Sequence, residues 1–500
     1  MRATKKTKTT RSSMINYSIQ ELDLITELPE PIIQHIMSFL TYKDAAKMSV
    51  LSKHFASAWN CFPSISFDET LNMGSCARLK GKPRLDKFLS YVSGFLSRRP
   101  PRIALNMFCF SFNLEDSYEQ PINGIDSAIR YAIENKVKEL KLDIVGRQKF
   151  KFQAHYNLPM KVFSAHSIAV LSLKGFMLEP PQNLTLICPS IKELNLEKCK
   201  GMQTLKIAGE KLKIVVIELC QGLDKVEIDA SNLESFSFGG EAHSSCRINL
   251  VTDEWIKHEV AQFLRLEVLK VVYCRLLENF HVSNSNLKTV ELRNCFKLQK
   301  IEIYARSLNT FAYGGDLKPS QVIIYSPCVH AKLSLSADRG LSDHWYTNLR
   351  EFLACFDHCK ELEIDCDMDV ALIVPINVRK NLLAPLYDLN YLKLVTKQKP
   401  ENINDLVDGL MWLAPRLSKL SFISNCQEKS LKFEYDKART IEDDLDCCKL
   451  RPIKCWRHSI RKVTMENFDD CENMILEKFL AESALRLEAT SREGNACAEV

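Results

Sequence analysis

Glycine is scarce in this chain: 16 of 500 residues, about 3% against the usual ~7%. No Gly-x-Gly occurs, and the only Gly-Lys pair, Gly81-Lys82, runs straight into Pro83. Dinucleotide and P-loop fingerprints are therefore absent, since both need glycine where backbone approaches phosphate. Long apolar runs are also missing. The strongest, such as Leu212–Cys220, fall far short of the ~20 residues that span a bilayer. No Gly-x-Ser-x-Gly elbow and no His-Glu-x-x-His pair is present, so the commonest hydrolase signatures are excluded.

Net charge is nearly absent too. The formal +5 has one address, because Arg2, Lys5, Lys6, Lys8 and Arg11 lie in residues 1–20 with no acid among them. The other 480 residues hold 62 basic and 62 acidic side chains. A balanced body carries no electrostatic footprint for nucleic acid. The tail reads as a solvated disordered terminus, a weak nuclear-import patch or a transit segment.

What the chain does have is cysteine, 19 residues, an odd number with no secretory h-region before it. Free, mostly buried thiols in a reducing compartment are expected. The expectation is a soluble protein of the nucleus or cytoplasm that needs no cofactor and no membrane partner.

The main signal is a repeat. The pattern apolar-x-x-apolar-x-apolar recurs with its inner pair starting at Leu194, Leu205, Val215, Val226 and Phe236. The steps are 11, 10, 11 and 10 residues. The same steps separate Leu269, Phe280, Val290, Ile301 and Phe311, and the two runs end alike in Phe236-Ser-Phe238-Gly239-Gly240 and Phe311-Ala-Tyr313-Gly314-Gly315. One turn is then about 21 residues with an extended piece on each side, within the leucine-rich-repeat range. Alternation drives two side chains per strand into the coil, and only stacking covers them. Cys199, Cys220, Cys274, Cys295 and Cys366 follow strands, where such repeats place a buried Asn or Cys that bonds neighbouring backbone. Weaker copies lie at Leu140, Leu171, Leu362, Leu392, Leu420 and Val463.

Residues 24–60 are different, with Ile32, Ile33, Ile36, Met37 and Leu40 at helical spacing, Asp44 as a helix-start residue and Ser52 ahead of a third helix. Some 40 residues cannot bury a self-sufficient core, so this trio needs a partner or a neighbouring domain. The run Ile25-Thr-Glu-Leu28-Pro29-Glu-Pro-Ile32-Ile33-Gln-His-Ile36-Met-Ser38-Phe39-Leu40-Thr-Tyr-Lys-Asp44-Ala45-Ala46-Lys-Met-Ser-Val50-Leu51-Ser52-Lys53 resembles the F-box of plant F-box/leucine-rich-repeat proteins. It departs from that family after the lysine, where His54-Phe55 stands in place of Arg-Trp. Near the other end, Cys455-Trp456 through Val463-Thr-Met465 and Phe468, followed by Glu472–Ala484, is similar to the FBD region of the same family, with a shortened ending at Leu487-Glu-Ala-Thr.

The expected architecture is α/β: a three-helix F-box, a curved leucine-rich-repeat solenoid and an FBD-like C-terminal cap. In residue numbers this means a basic tail over 1–20, F-box over 21–62, a linker and first helical part over 63–135, the solenoid over 136–450, the cap over 451–488 and a tail over 489–500. The resemblance implies a non-catalytic receptor. Its F-box would hold a Skp-type adaptor, and through it a cullin-RING ligase, by Leu28, Pro29, Ile32, Ile33, Ile36, Leu40, Val50 and Leu51. Its repeats would bind a protein target for ubiquitination. The alternative is a scaffold that uses the same parts without ligase assembly.

In each inner strand the central residue points out of the coil, so Asn195, Val216, Ser237, Lys270, Glu291 and Ala312 form an expected row, flanked by Glu193, Glu197, Glu218, Val268, Val272 and Arg293. Asn195, Val216, Ser237, Val268, Lys270, Val272 and Glu291 are the expected target-binding residues; the competing reading is that neighbours shield the valines. Two cysteine clusters, Cys355/His358/Cys359/Cys366 and Cys447/Cys448/Cys455/His458, lack paired ligand spacing and read as structural. Glu361, Glu363 and Asp365 alternate as a solvated strand face does.

Overall fold

A computed structural model describes residues 28–72, 82–114, 123–144, 156–178, 183–240, 251–317, 321–326, 329–337, 341–380, 382–396, 402–424, 427–435 and 455–493. The expected basic tail, residues 25–27 of the F-box motif, Cys447 and Cys448 lie outside these residues.

Three helices open the fold: α1 (Glu30–Ser38), α2 (Tyr42–Met48) and α3 (Lys53–Asn60). Pro29 precedes the first turn of α1, where no backbone donor is required. Thr41 starts α2 by accepting from the Asp44 amide, which moves the helix start three residues upstream of the expected Asp44. Ser52 caps α3 through the Phe55 amide.

A parallel inner sheet follows. Its strands are β1 (Ser64–Asp68), β2 (Met107–Phe112), β3 (Glu139–Ile144), β4 (Val170–Lys174), β6 (Glu193–Glu197), β8 (Ile214–Glu218), β10 (Ser235–Gly239), β11 (Val268–Val272), β13 (Thr289–Arg293), β15 (Thr310–Gly315), β17 (His330–Leu335), β18 (Glu361–Cys366), β19 (Tyr391–Val395) and β20 (Lys419–Ser424). Each pairs with the next, so the sheet is one continuous ladder. Two three-stranded sheets form the second extended piece of each turn: β5 (Asn183–Leu186) with β7 (Thr204–Ala208) and β9 (Lys225–Asp229), and β12 (Asn279–Ser283) with β14 (Lys300–Tyr304) and β16 (Gln321–Tyr325). Elsewhere helices take that place: α4 (Glu69–Asn72), α5 (Lys82–Arg98), α6 (Asn123–Glu134), α7 (Asp253–Gln262), α8 (Asp343–Ala354), α9 (Ile376–Arg379) and α10 (Ile403–Leu413).

The turn after each inner strand explains the cysteines. Gly175, Lys198, Leu219, Tyr273 and Asn294 all take positive φ, 78°, 55°, 55°, 56° and 53°. The cost to a side chain there is offset because each amide donates to a carbonyl at the end of the next strand: Gly175 to Glu197, Lys198 to Glu218, Leu219 to Gly239, Tyr273 to Arg293, Asn294 to Gly314. At Gly240 the chain passes so close to Tyr273 that a Cβ would lie 2.4 Å from its carbonyl oxygen, which leaves only glycine. The next residue turns inward, and Cys199, Cys220 and Cys295 place Sγ on the carbonyls of Leu173, Leu196 and Val271 at 3.6, 3.5 and 3.8 Å.

The C-terminal end departs from the expected cap. β21 (Gln427–Tyr435) turns back antiparallel on β20, and β22 (Ile460–Glu466) is antiparallel to β21. Helix α11 (Asp470–Ser483) and β23 (Ala489–Glu493), parallel to β22, complete the strand–helix–strand unit. The FBD-like segment therefore covers β21, whose Leu431 and Phe433 are buried, and β21 in turn covers Leu420. Residues 63–135, expected as linker and helix, also supply β1 and β2 to the sheet. Among the described residues no helix is long and apolar enough to cross a membrane.

Candidate functional site

The helical trio has two faces. Ile33, Met37, Ala45, Phe55 and Ala58 are buried between the helices, and the Trp59 ring stacks on Phe62 at 5.8 Å and meets Phe95 of α5 edge-on. Arg99, at the end of α5, donates to the Phe62 carbonyl at 2.8 Å and to Tyr131 of α6. The neighbouring repeat domain thus covers the apolar side that 40 residues could not bury alone. Phe55 stands in the core where the related motif has Trp, and His54 bonds the Leu28 carbonyl at 2.7 Å, joining α3 to the segment just ahead of α1.

The other face is apolar and open. Ile32 is 46% exposed, Phe39 76%, Val50 85% and Leu51 70%, with Leu40 beside them and Pro29 also exposed. Leu28 and Ile36 are half-buried. Ile33 is corrected: it is fully buried, because it falls on the α1 face that packs on α3, and so it supports the surface without being part of it. Phe39 was missing from the expected set. Its signal was available, since it follows Ser38 in the motif, but helical spacing gives no rule for the residue just past a helix end. Several large apolar side chains left exposed on one small module mark an interaction surface.

The second surface is the inner sheet. Ladder register places Ser172, Asn195, Val216, Ser237, Lys270, Glu291 and Ala312 side by side as one row across seven strands. The flanking rows read Glu193, Ile214, Ser235, Val268 on one side and Glu197, Glu218, Gly239, Val272, Arg293 on the other. Val216, Val268 and Val272 are half-buried, while Ser237 and Ala312 are recessed below them. Gly239 leaves room for Glu218 to lie across it, the Glu218 Cγ standing 3.2 Å from where a Cβ would be. Ser237 donates to that carboxylate at 3.3 Å. Further along, Glu291 takes both Arg293 at 2.5 Å and Lys270 at 3.4 Å. Ile214 lies in the row beside Val268 and was not among the expected residues, because it falls at an unspecified position of the motif.

The cysteine cluster does not converge. Cys355 donates to the Glu351 carbonyl and Cys366 to that of Met368, each thiol satisfied by its own backbone. Burial pushes the Cys366 thiol up to about 11, a protonated donor at neutral pH. Among the described residues no three His, Cys, Asp or Glu side chains are grouped to hold a metal ion.

Comparison with known proteins follows the same division. Residues 25–66 match the F-box domain model, and residues 183–258 match the leucine-rich-repeat domain model described as At1g61320/AtMIF1, LRR domain. A putative F-box/LRR-repeat protein of Arabidopsis thaliana is 26% identical over 294 residues, covering 52% of this chain and 59% of its own length. A putative F-box/FBD/LRR-repeat protein of the same plant is 21% identical over 493 residues, 92% of this chain and 86% of that relative. An FBD-associated F-box protein, also from Arabidopsis, is 27% identical over 176 residues, 35% of this chain and 37% of the relative. The chain thus spans less than two thirds of the first of these and most of the second. Residues 25–66 thus carry an F-box match and residues 183–258 a leucine-rich-repeat match, and over nearly its whole length the chain is similar to a plant F-box/FBD/LRR-repeat protein.

Proposed function

We propose that this protein is the substrate-recognition subunit of a Skp-cullin-F-box type ubiquitin ligase. The observation that carries the reading is the open apolar face of the helical trio, made by Ile32, Phe39, Leu40, Val50 and Leu51, on a module whose opposite face is welded to the solenoid through Trp59, Phe62 and Phe95. A packed junction between the helical trio and the solenoid suits holding a bound target near the adaptor, as transfer of ubiquitin by a separate subunit requires. The inner sheet, with half-buried valines between charged rows, suits capture of a protein segment.

Co-expression with a Skp-type adaptor and a cullin tests this. Adaptor and cullin should co-purify with the full chain and be lost together with Leu51→Asp. Recovery of the adaptor without cullin would favour the scaffold alternative, and recovery of neither would overturn both. For the target surface, Val216→Arg with Val272→Asp should lose the partners that accumulate under proteasome inhibition, while Lys206→Ala on the outer sheet should keep them.

A further inference from the structure

The cysteines that follow the inner strands are not equivalent. Cys199, Cys220 and Cys295 each place Sγ on two carbonyls, one at the end of their own strand and one in the strand before it. Cys274 reaches only its own strand, the Val272 carbonyl at 3.7 Å, and among the described residues its thiol makes no bond to β10. Its other contact is sideways, to the Cys295 thiol. Register explains the meeting. Val272 and Arg293 are paired at the ends of β11 and β13, and Tyr273 and Asn294 follow them in the same left-handed turn, at φ 56° and 53°. Cys274 and Cys295 therefore stand opposite each other about one strand spacing, ~4.8 Å, apart, inside the range of roughly 4.4–6.8 Å between Cα atoms that a disulfide spans. Cys199 and Cys220 are opposed in the same way, but they are 0% and 2% exposed, against 5% and 8% for Cys274 and Cys295. Both members of that first pair are also tied to the strand before their own.

We propose that Cys274 and Cys295 are a peroxide-responsive dithiol that closes to a disulfide between two neighbouring coils, while Cys199 and Cys220 stay reduced. Cys295 is the attacking sulfur. It is the more exposed of the two, and the bond from the Cys274 thiol holds its own thiol below the usual range. Its thiolate attacks one oxygen of hydrogen peroxide, the O–O bond breaks, and the departing hydroxide takes up the thiol proton as water. Cys295 is left as a sulfenic acid. The Cys274 sulfur then attacks the sulfenic sulfur, the S–O bond breaks, and that oxygen leaves with the Cys274 proton as a second water. Two thiols and one peroxide thus give one disulfide and two waters. Cys274 suits the second step because its thiol has no bond to the coil before it that must break. The link lies just past Val272 and Arg293, at the edge of the inner face. The inference is independent of the receptor reading, since it concerns the coil turns alone.

The test uses the full chain, reduced and then exposed to a small excess of hydrogen peroxide, quenched in acid and alkylated under denaturing conditions. Trypsin cuts at Arg275, Lys288 and Arg293, so Cys274 and Cys295 fall on separate peptides that only a disulfide joins. Mass mapping should find these two peptides linked, two hydrogens lighter than their sum, with Cys199 and Cys220 alkylated. Dithiothreitol should remove the link. Cys274→Ser keeps a donor for the Val272 carbonyl and should leave Cys295 as a sulfenic acid that a dimedone probe captures. Cys295→Ser should leave Cys274 alkylated after the same dose. Melting curves check that both variants fold, and the wild-type map decides the linkage even where one does not. A link between Cys199 and Cys220 at that dose, another partner for Cys274 or Cys295, or full alkylation of both would overturn the inference.

Discussion

Arg457 of the FBD-like segment reaches Asp408 of α10 at 2.9 Å, across 49 residues of chain. The same carboxylate holds Arg379 at 2.5 Å from the other side, and Arg379 also donates to the Val374 carbonyl and lies over the Trp412 ring. Arg379 and Asp408 are mostly buried, whereas Arg457 is nearly half-exposed. Removing the shared acid takes from the mostly buried Arg379 guanidinium the carboxylate that it holds at 2.5 Å. Asp408→Ala should therefore cost about 3 kcal/mol in urea unfolding, whereas Arg457→Ala should cost under about 1 kcal/mol. Equal losses from the two would show that the carboxylate serves only the cap.

The two faces of the F-box should separate by mutation. Ile33→Asp buries an unpaired carboxylate between α1 and α3, so the trio should unfold, seen as protease cutting within residues 28–62. Leu51→Asp puts the same charge on open surface and should leave protease resistance unchanged while abolishing adaptor recovery. Ile36, half-buried between these extremes, should show part of each effect with Ile36→Asp.

End-capping can be tested in two steps. Deleting 455–493 bares Leu431 and Phe433 of β21, and deleting 427–493 bares Leu420 and Phe422 of β20. Both truncations should aggregate, because an uncapped solenoid exposes its core edge. The shorter deletion also breaks the Arg457–Asp408 contact, so its melting temperature should fall below that of Arg457→Ala. A soluble 455–493 deletion with unchanged melting would mean that β21 alone is a sufficient end.

Much of this was legible in the sequence, for a physical reason. Steps of 11 and 10 residues repeat only when every coil closes on the same geometry, so Leu194, Val215 and Phe236 had to align, as did Leu269 and Val290, and they do. The buried cysteines followed from their place after strands. The strands that were missed lack the Leu-x-Leu spelling. Ile65-Ser-Phe67 and Phe108-Cys-Phe110-Ser-Phe112 alternate as well, but with aromatics, in a stretch dominated by helical signal. β21 was hidden because it runs antiparallel to β20, and no side-chain period encodes direction. At the site, register could be read from spacing, but exposure could not. Ile33 and Ile32 are adjacent and chemically alike, and only packing against α3 decides which is buried.

The last prediction concerns pH. Glu428 of β21 accepts from Lys419 at 2.9 Å, Ser421 at 2.7 Å and Tyr391 at 3.1 Å, and these donors hold its carboxyl down at about 2, led by the Lys419 bond. The ordinary value is 4.5, so the folded state binds this proton more weakly than the unfolded chain does. The contribution to stability is therefore complete above about pH 4.5 and is lost as pH falls toward 2. The group is partly exposed, so solvent screening keeps the contribution small, and the shape of the curve is the better readout. Glu428→Gln keeps the size and an acceptor for Ser421 but cannot titrate. Its melting temperature should be lower than wild type at neutral pH, and the two curves should converge between pH 4.5 and 2. Parallel curves over that window would show that the Lys419–Glu428 bond adds nothing to the junction between the parallel array and its antiparallel end.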